Sequence, residues 1–183
     1  MSLPRRALSL HARQLISASL GLIAFLGLTG IALDKAFQSS LVNSLEDQMS
    51  SYASVFWDEV EFDKNGLIIG KRIDLPDARL KAYRGGLYAQ ISGKHNSWQS
   101  TKVSNSLFSL PKLNIGKLGT ADQFSGPVNL RISEDLTINA YQYMATKELQ
   151  TENGPEVLSL RIYQDENEIF KQISEFRRSI WVY

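Results

Sequence analysis

The segment Leu15–Leu33, LISASLGLIAFLGLTGIAL, decides how the rest of the chain is organised. The twenty residues between Arg13 and Asp34 carry no charge. At about 1.5 Å of rise per residue, a helix from Leu15 to Leu33 is roughly 28 Å long, which matches the hydrocarbon core of a bilayer. The sequence therefore predicts one membrane crossing, at residues 15–33.

The charges on the two sides of this segment are unequal. On its C-terminal side one acidic and one basic residue, Asp34 and Lys35, cancel each other. On its N-terminal side lie three arginines: Arg5, Arg6 and Arg13. Positively charged flanks of membrane helices remain in the cytoplasm. Residues 1–14 are therefore predicted to be cytoplasmic, and the chain beyond Asp34 to lie outside the cytoplasm.

A cleaved secretory signal is the competing interpretation of the same segment. A basic start, an apolar stretch and the small residues Gly30 and Ala32 satisfy that pattern as well. The apolar run is longer than the usual 7 to about 15 residues of a signal, and no Pro or polar turn precedes the cleavage position. An uncleaved anchor is the favoured interpretation.

Length and composition limit the number of domains and the classes of partner that the chain is expected to have. The chain has 183 residues, and without the anchor about 150 remain, enough for one domain with its own core. Without the three N-terminal arginines, 17 basic residues face 19 acidic ones, a net charge of −2. A nucleic-acid partner is disfavoured, because phosphate binding needs a concentrated basic surface. The chain has no cysteine, which excludes disulfides and thiol chemistry.

Helical periodicity continues beyond the apolar segment. From Asp34 to Trp57 there is no Gly or Pro, and apolar residues recur on one side at 100° per residue. This stripe consists of Phe37, Leu41, Leu45, Met49, Tyr52, Val55 and Phe56. It lacks a sustained heptad repeat, so packing on the domain's own sheet is favoured over pairing with a second copy. One helix is predicted to run from the membrane to near Trp57.

Short alternating segments between turn residues follow this helix. The predicted strands are 67–69, 87–92, 97–100, 121–124, 128–132, 137–149 and 157–163. The predicted connections are 70–83, with at most one helical turn, 101–119 and an exposed loop at 150–156. The order of helix, about five antiparallel strands and helix predicts an α+β fold in which helices cover a sheet.

A second helix is predicted at the C-terminal end. Asp165 and Glu168 have capping-box spacing, which marks a helix start. The buried stripe of this helix is predicted to be Ile169, Ile173, Phe176 and Ile180. Basic residues at 177 and 178 followed by Trp181 are typical of a membrane edge. The external domain is accordingly assigned to residues 34–178, and 179–183 to the start of a second membrane helix.

Residues suited to catalysis are sparse. The two histidines are His11, before the anchor, and His95, in a predicted turn, so neither a His-based acid–base pair nor a His-based metal site is expected. A weak candidate for a divalent cation is a short acidic group, for which a solvated surface is the favoured interpretation. This group consists of Asp58, Glu59, Glu61 and Asp63. No cofactor is predicted for the chain.

Binding is a better-supported prediction than reaction. The candidates are aromatic and cationic residues on predicted strands: Tyr88, Trp98, Arg131, Tyr141, Tyr143 and Arg161. A buried guanidinium requires a carboxylate from the protein or from a ligand. An inward-facing Arg131 or Arg161 would therefore be the most informative member of this set.

Four segments together give a specific resemblance. They are RQLISASLGLIAFLGLTGIALDKAF at 13–37, GLYAQI at 86–91, WQS at 98–100 and SEFRRSIW at 174–181. In this order and spacing the chain resembles the N-terminal part of the PhoQ-like proteobacterial two-component sensor histidine kinases. The resemblance implies a periplasmic PAS-like (PDC-type) domain between two inner-membrane helices. It also implies that the chain continues past Tyr183 into kinase domains, which would bring ATP, Mg²⁺ and a response regulator.

The resemblance implies a sensory function for the chain. His11 does not occupy the family's phosphoacceptor position and no ATP-binding motif is present, so any kinase activity would belong to domains outside these 183 residues. The hypothesis is a homodimeric, membrane-embedded module that passes a ligand-induced shift along its helices. Only a modest acidic group at 58–63 is present, which weakens the expectation of cation sensing. The alternative is a singly anchored or secreted periplasmic binding protein without a kinase.

Overall fold

The structure is a computed structural model. It describes residues 9–64, 77–82, 85–93, 97–100, 122–133, 136–152 and 154–181. The chain divides into two compact units, residues 1–41 and 42–183. The elements are α1 (Leu10–Glu59), a 3₁₀ turn (Ala78–Lys81), β1 (Leu87–Ser92), β2 (Ser97–Gln99), β3 (Gln123–Ser133), β4 (Leu136–Thr151), β5 (Gly154–Asp165) and α2 (Glu166–Trp181). The predicted strand 67–69 and connection 101–119 lie outside the described residues.

In the first unit, α1 carries apolar side chains on every side. By length and composition α1 is able to cross a membrane, and its most hydrophobic window has no buried residue. Leu15 and Leu28 are 72% and 70% exposed. The prediction of a long N-terminal helix containing an apolar segment of membrane-spanning length is confirmed.

In the second unit, α1 buries one stripe of side chains. The buried residues are Leu45, Met49, Ala53 and Phe56. The prediction that Val55 belongs to this stripe is wrong, since Val55 is 38% exposed. Six residues after Met49, Val55 lies 120° away around the helix, whereas Ala53 lies only about 40° away. Ala53 therefore belongs to the buried stripe, whereas Val55 lies outside it.

The strands form one antiparallel sheet in the order β2-β1-β5-β4-β3. The predicted α+β class, the five-stranded antiparallel sheet and the hairpin of β1 and β2 are confirmed. The central strand β5 buries seven consecutive residues, Leu158–Gln164. Such continuous burial means that β5 is covered on both faces of the sheet.

The strands predicted at 121–124 and 128–132 form a single strand, β3. A register shift between Ser125 and Val128 accommodates Gly126 and Pro127, two of the three residues that separated the predicted strands. Pro127 lacks an N–H for a ladder bond, but β3 is an edge strand with a bulge, where such a residue is tolerated. Gly126 allows close approach to β4, because a Cβ there would lie 2.9 Å from the Cα of Tyr141.

The exposed loop predicted at 150–156 is also wrong. β4 extends to Thr151 and β5 begins at Gly154, and these two residues are register partners. The Thr151 hydroxyl donates a hydrogen bond to the Gly154 carbonyl at 2.7 Å. The strand β4 thus includes the polar residues Gln150 and Thr151, which the prediction placed in the loop, because these residues pair with β5.

Helix α2 begins at Glu166, as the cap spacing predicted. The Asp165 carboxylate accepts a hydrogen bond from the Asn167 N–H at 2.9 Å, which caps the helix. The reciprocal half of the capping box is absent, because the Asp165 N–H donates to the Gly86 carbonyl at 2.7 Å. Ile169 and Ile173 are buried, as predicted. Phe176 is half-buried, and the side chain of Ile180 lies outside the described residues.

Candidate ligand-binding face of the sheet

One face of the sheet packs on α1 and is called here the helix-covered face. The Phe56 ring meets the Trp98 ring edge-on, with centroids 5.7 Å apart. The Tyr143 hydroxyl donates to the Asp122 carboxylate at 2.8 Å and lies 3.0 Å from Ser50 Oγ. Trp98 of β2 and Tyr143 of β4 thus contact side chains of α1. This face of the sheet is therefore part of the hydrophobic core.

The opposite face is called here the Arg161 face, after its central residue. The strand register places five residues in one row across all five strands, because paired residues of antiparallel strands share a face. In sheet order this row is Gln99, Gln90, Arg161, Met144 and Gln123. Four of the five residues are polar, which is unusual for the middle of a sheet whose central strand is buried.

Arg161 lies at the centre of this row and is only 6% exposed. Its Nε has no hydrogen-bond partner. None of the ion pairs formed by the described residues includes Arg161. An unsatisfied buried donor costs about 1–3 kcal/mol, and more when the group is charged. Among the described residues, the central strand therefore carries a buried cation that has no carboxylate partner.

Gln90 lies directly opposite Arg161 on β1. Its Oε1 atom is buried and has no hydrogen-bond partner. Arg161 Nε and Gln90 Oε1 thus belong to paired residues, and neither atom has a hydrogen-bond partner among the described residues. Unsatisfied buried polar atoms of this kind are rare exceptions in folded proteins.

Aromatic side chains border this polar pair. Tyr88 and Tyr163 are paired in the next row and belong to a buried apolar cluster. Burial raises the pKa of the Tyr163 phenol, while the charge of Arg161 and a hydrogen bond with it act in the opposite direction. The phenol is therefore neutral at physiological pH, and its hydroxyl forms a hydrogen bond with the guanidinium of Arg161.

The structure separates the residues that the sequence selected for binding. Tyr88 and Arg161 lie on the Arg161 face, in adjacent rows. Trp98 packs against α1, and Tyr141 stacks on Phe124 at 5.8 Å, both on the helix-covered face. Burial, followed by the nearby Glu166 charge, raises the pKa of Tyr141.

The remaining candidates lie away from the Arg161 face. Arg131 is exposed on the edge strand β3, close to its C-terminal end. Tyr143 is buried on the helix-covered face, and burial raises its pKa. Only Tyr88 and Arg161 of the six candidates are therefore brought together on one face.

Sequence reasoning missed Gln90. Its signal was present, since a glutamine in the middle of an otherwise apolar strand is an exception that requires a partner. What the sequence did not contain was the register that places Gln90 opposite Arg161, because 71 positions separate them along the chain. The pair becomes visible only when β1 and β5 are aligned.

A second polar cluster joins α1, the 3₁₀ turn and α2, and is called here the charged clamp. Arg79 donates from Nη2 to the Asp77 carboxylate and from Nη1 to the Glu168 carboxylate, each at 2.7 Å. The Tyr52 hydroxyl donates to Asp77 Oδ2 at 2.9 Å. Glu168, which does not bond to the Asp165 N–H, thereby links α2 to the 3₁₀ turn. Tyr52 links the residue before this turn to α1.

The clamp changes the protonation properties of its members. The hydrogen bond from the Arg79 side chain lowers the pKa of Asp77 to about 2. The bond to Asp77 likewise raises the pKa of Arg79, which keeps its charge at all accessible pH values. Burial, followed by the hydrogen bond to Asp77, raises the pKa of Tyr52. The clamp is therefore fully formed at neutral pH.

The acidic group begins in the last turn of α1 and was the weak candidate for a divalent cation. Among the residues that the structure describes, no set of three or more His, Asp or Glu side chains is placed to hold a metal ion. Asp58, Glu59 and Glu61 are exposed, and Asp63 is half-buried. The Arg161 face remains the candidate for binding.

Comparison of the chain with protein-family models, curated proteins and solved structures finds no match. Functional inference therefore depends on the residues and their geometry.

Proposed function

We propose that this chain is the signal-sensing and transmembrane signalling part of a membrane receptor, with its sheet domain outside the cytoplasm. The observation that carries the proposal is the composition of α1. The same helix contains an uncharged apolar segment with no buried residue and a segment that supplies the core residues Leu45, Met49 and Phe56. A helix of this kind links a membrane anchor to the core of the domain that it carries.

The finer assignment is a periplasmic PAS-like (PDC-type) domain of a two-component sensor histidine kinase in a bacterial inner membrane. The sheet order β2-β1-β5-β4-β3, in which the first and last strands pair at the centre, supports a PAS-like arrangement. In this proposal the protein is a homodimer and kinase domains beyond Tyr183 use ATP and Mg²⁺ to phosphorylate a response regulator. The residues of this chain supply sensing only.

Signal transfer in this proposal uses the two terminal helices of the domain. A ligand shifts a conformational equilibrium only by its difference in affinity for the two states. The charged clamp bridges α1 and α2 through Tyr52, Arg79 and Glu168, and α2 starts directly after β5, which carries Arg161. A change at Arg161 is therefore able to reach both helices through contacts within one domain.

Topology is the first test of the proposal. A phosphatase that is active only outside the cytoplasm is fused after Ser100 and, as a matched control, after Arg13. Activity is expected from the Ser100 fusion alone. An inactive Ser100 fusion that is expressed at a normal level would refute an external sensory domain.

A second fusion distinguishes the receptor from a singly anchored or secreted binding protein. The chain replaces the sensor region of a histidine kinase whose output is measured through a reporter gene. A reporter signal that changes when Arg79→Met loosens the clamp is expected for a sensory module. A signal that never differs from that of the kinase without a sensor would favour the binding protein.

A further inference from the structure

We propose that residues 77–82 and 85–86 form a latch that holds α1 and α2 at one relative position, and that separation of Glu168 from Arg79 is the step that changes the signalling state. The inference deepens the proposed sensory function and rests on it in one respect, namely that movement of α2 is the signal. All the contacts involved lie within the second unit of the chain.

The latch is packed tightly against the domain. Leu80 is 0% exposed, and its N–H donates to the Asp77 carbonyl at 3.1 Å. The Gly85 N–H donates to the Ala82 carbonyl, also at 3.1 Å. A Cβ at Gly85 would overlap the Arg79 carbonyl oxygen and lie 2.8 Å from the Arg79 carbonyl carbon. Backbone packed this closely does not shift freely, so the turn fixes the position of Arg79.

The contacts of the latch with the two helices are weaker. On the side of α1, the Tyr52 hydroxyl donates to Asp77 at 2.9 Å. On the side of α2, Arg79 pairs with Glu168, and these side chains are 32% and 46% exposed. Ion pairs that are open to solvent contribute little to stability. The connection to α2 is therefore the part of the latch that opens most easily.

Separation of Glu168 leaves neither charge buried and unpaired. Arg79 keeps Asp77 as its partner, to which it donates from Nε at 3.0 Å and from Nη2 at 2.7 Å. Glu168 is exposed on α2, so water replaces the guanidinium. The large penalty for breaking a buried ion pair does not apply. The open state is therefore close enough in free energy for a ligand that prefers it to populate it.

The start of α2 stays attached when Glu168 leaves. The Asp165 N–H donates to the Gly86 carbonyl at 2.7 Å, and the Asp165 carboxylate caps α2 at Asn167. Glu168 lies only three residues beyond Asp165. Opening therefore turns α2 about its first residue and does not detach the helix from the domain.

Distances within the full chain in lipid nanodiscs test the inference. Spin labels are placed at Ser54→Cys and Lys171→Cys, exposed positions of α1 and α2, and labelled chain is diluted with unlabelled chain. Glu168→Gln is nearly isosteric and should raise the population of a second distance about threefold or more, because an uncharged amide binds a guanidinium more weakly. The control Glu175→Gln, at an exposed residue of α2, should not. An unchanged distribution in a folded Glu168→Gln variant would overturn the inference.

A glycine variant tests the latch without changing a charge. In Gly85→Ala the new methyl group displaces the Arg79 carbonyl, so the same second distance should become populated. The control Gly27→Ala makes the same change where a Cβ meets open space and should leave the distribution unchanged. A folded Gly85→Ala variant with the wild-type distribution would contradict the packing argument.

Signalling is measured with the same variants in the histidine-kinase fusion. Glu168→Gln and Gly85→Ala should change the reporter signal in the same direction, and Glu175→Gln should not change it. A second distance without a change in reporter signal would overturn the assignment of this separation as the switching step.

The two proposals fail in different ways. If Glu168→Gln leaves the distances unchanged while the Ser100 phosphatase fusion is active, the latch is wrong and the external sensory domain stands. If the fusion is inactive while the distances respond, the latch stands as a contact between the helices and the sensory function is refuted.

Discussion

Two segments of α1 have similar apolar side chains in different surroundings. In Leu15–Leu33 large side chains are exposed, for example Leu15 at 72% and Leu28 at 70%. In Leu45–Phe56 the stripe is covered by the sheet, and Met49 and Phe56 are 0% exposed. The first segment thus has apolar surface with no protein against it, and the second has its apolar surface inside a core.

The distribution of charge around the helix accounts for this contrast. Residues 14–33 have no charge on any side, which is the pattern of a helix surrounded by an apolar medium. Beside the buried stripe of the second segment lie the exposed residues Glu46 and Asp47, which face water. We therefore propose lipid as the medium around the first segment. The second segment has protein on one side and water on the other.

The largest effect is expected where charge enters the first segment. Leu22→Asp with Phe25→Asp places two acidic groups in the apolar segment, each at a cost of about 3 kcal/mol if it lies at the centre of a bilayer. The double variant should be released from membranes by alkaline carbonate, which retains the wild-type chain. The control Ser39→Asp with Asn43→Asp changes polar positions of α1 outside the apolar segment and should remain in the membrane. Retention of the Leu22/Phe25 variant would contradict the lipid assignment.

A large effect on folding is expected in the second segment. Phe56→Ala removes a fully buried ring that meets Trp98 and should lower the free energy of unfolding by about 3–5 kcal/mol. Its neighbour Val55 is partly exposed, so Val55→Ala should cost less than about 1 kcal/mol. Urea unfolding followed by tryptophan fluorescence measures both variants. Equal losses would mean that the stripe is misplaced.

A smaller effect is expected from the charged clamp. Arg79→Met removes the ion pairs to Asp77 and Glu168 and should lower the free energy of unfolding by about 1–2 kcal/mol, because the clamp is partly open to solvent. Membrane extraction should not change, since the clamp belongs to the second unit. The control Arg178→Met, at an exposed residue of α2, should leave stability unchanged. A destabilisation by Arg178→Met as large as that by Arg79→Met would rule out a specific role for the clamp.

The smallest effect is a pH dependence of the same clamp. Folding lowers the pKa of Asp77 from 3.8 to about 2. The contribution is therefore fully present above about pH 4 and is lost as pH falls through the folded pKa near 2, by about 1 kcal/mol after allowance for solvent screening. Asp77→Asn should reduce the stability difference between pH 5 and pH 2.5, and Asp47→Asn should not. An unaltered pH profile in Asp77→Asn would remove Asp77 from this role.

Local periodicity was sufficient to predict much of the fold. The spacing of apolar residues identified α1 and the burial of Ile169 and Ile173 on α2, because helical neighbours are close in sequence. The cap at Asp165 and the hairpin of β1 and β2 also depend on nearby residues. These features required no knowledge of distant partners.

Features that depend on distant partners were missed. A predicted strand ended at Phe124, before Gly126 and Pro127, yet β3 pairs with β4 on both sides of the bulge. Glu168 was assigned to a capping box, but its carboxylate binds Arg79, 89 positions away. Of the candidate site, Tyr88 and Arg161 were proposed from residue type, whereas Gln90 entered only through the pairing of β1 with β5. Register and ion pairing across the chain are not encoded in local periodicity.

The absence of cysteine from the chain allows a direct test of the membrane assignment. Single variants His11→Cys, Leu28→Cys and Ser54→Cys are treated with a membrane-impermeant maleimide in cells with a permeabilised outer membrane, and again after cell lysis. An anchored receptor predicts labelling of Ser54→Cys in cells, of His11→Cys only after lysis, and of Leu28→Cys only after the bilayer is dissolved. Labelling of Leu28→Cys as readily as Ser54→Cys in cells, or loss of residue 11 from the mature protein, would contradict it.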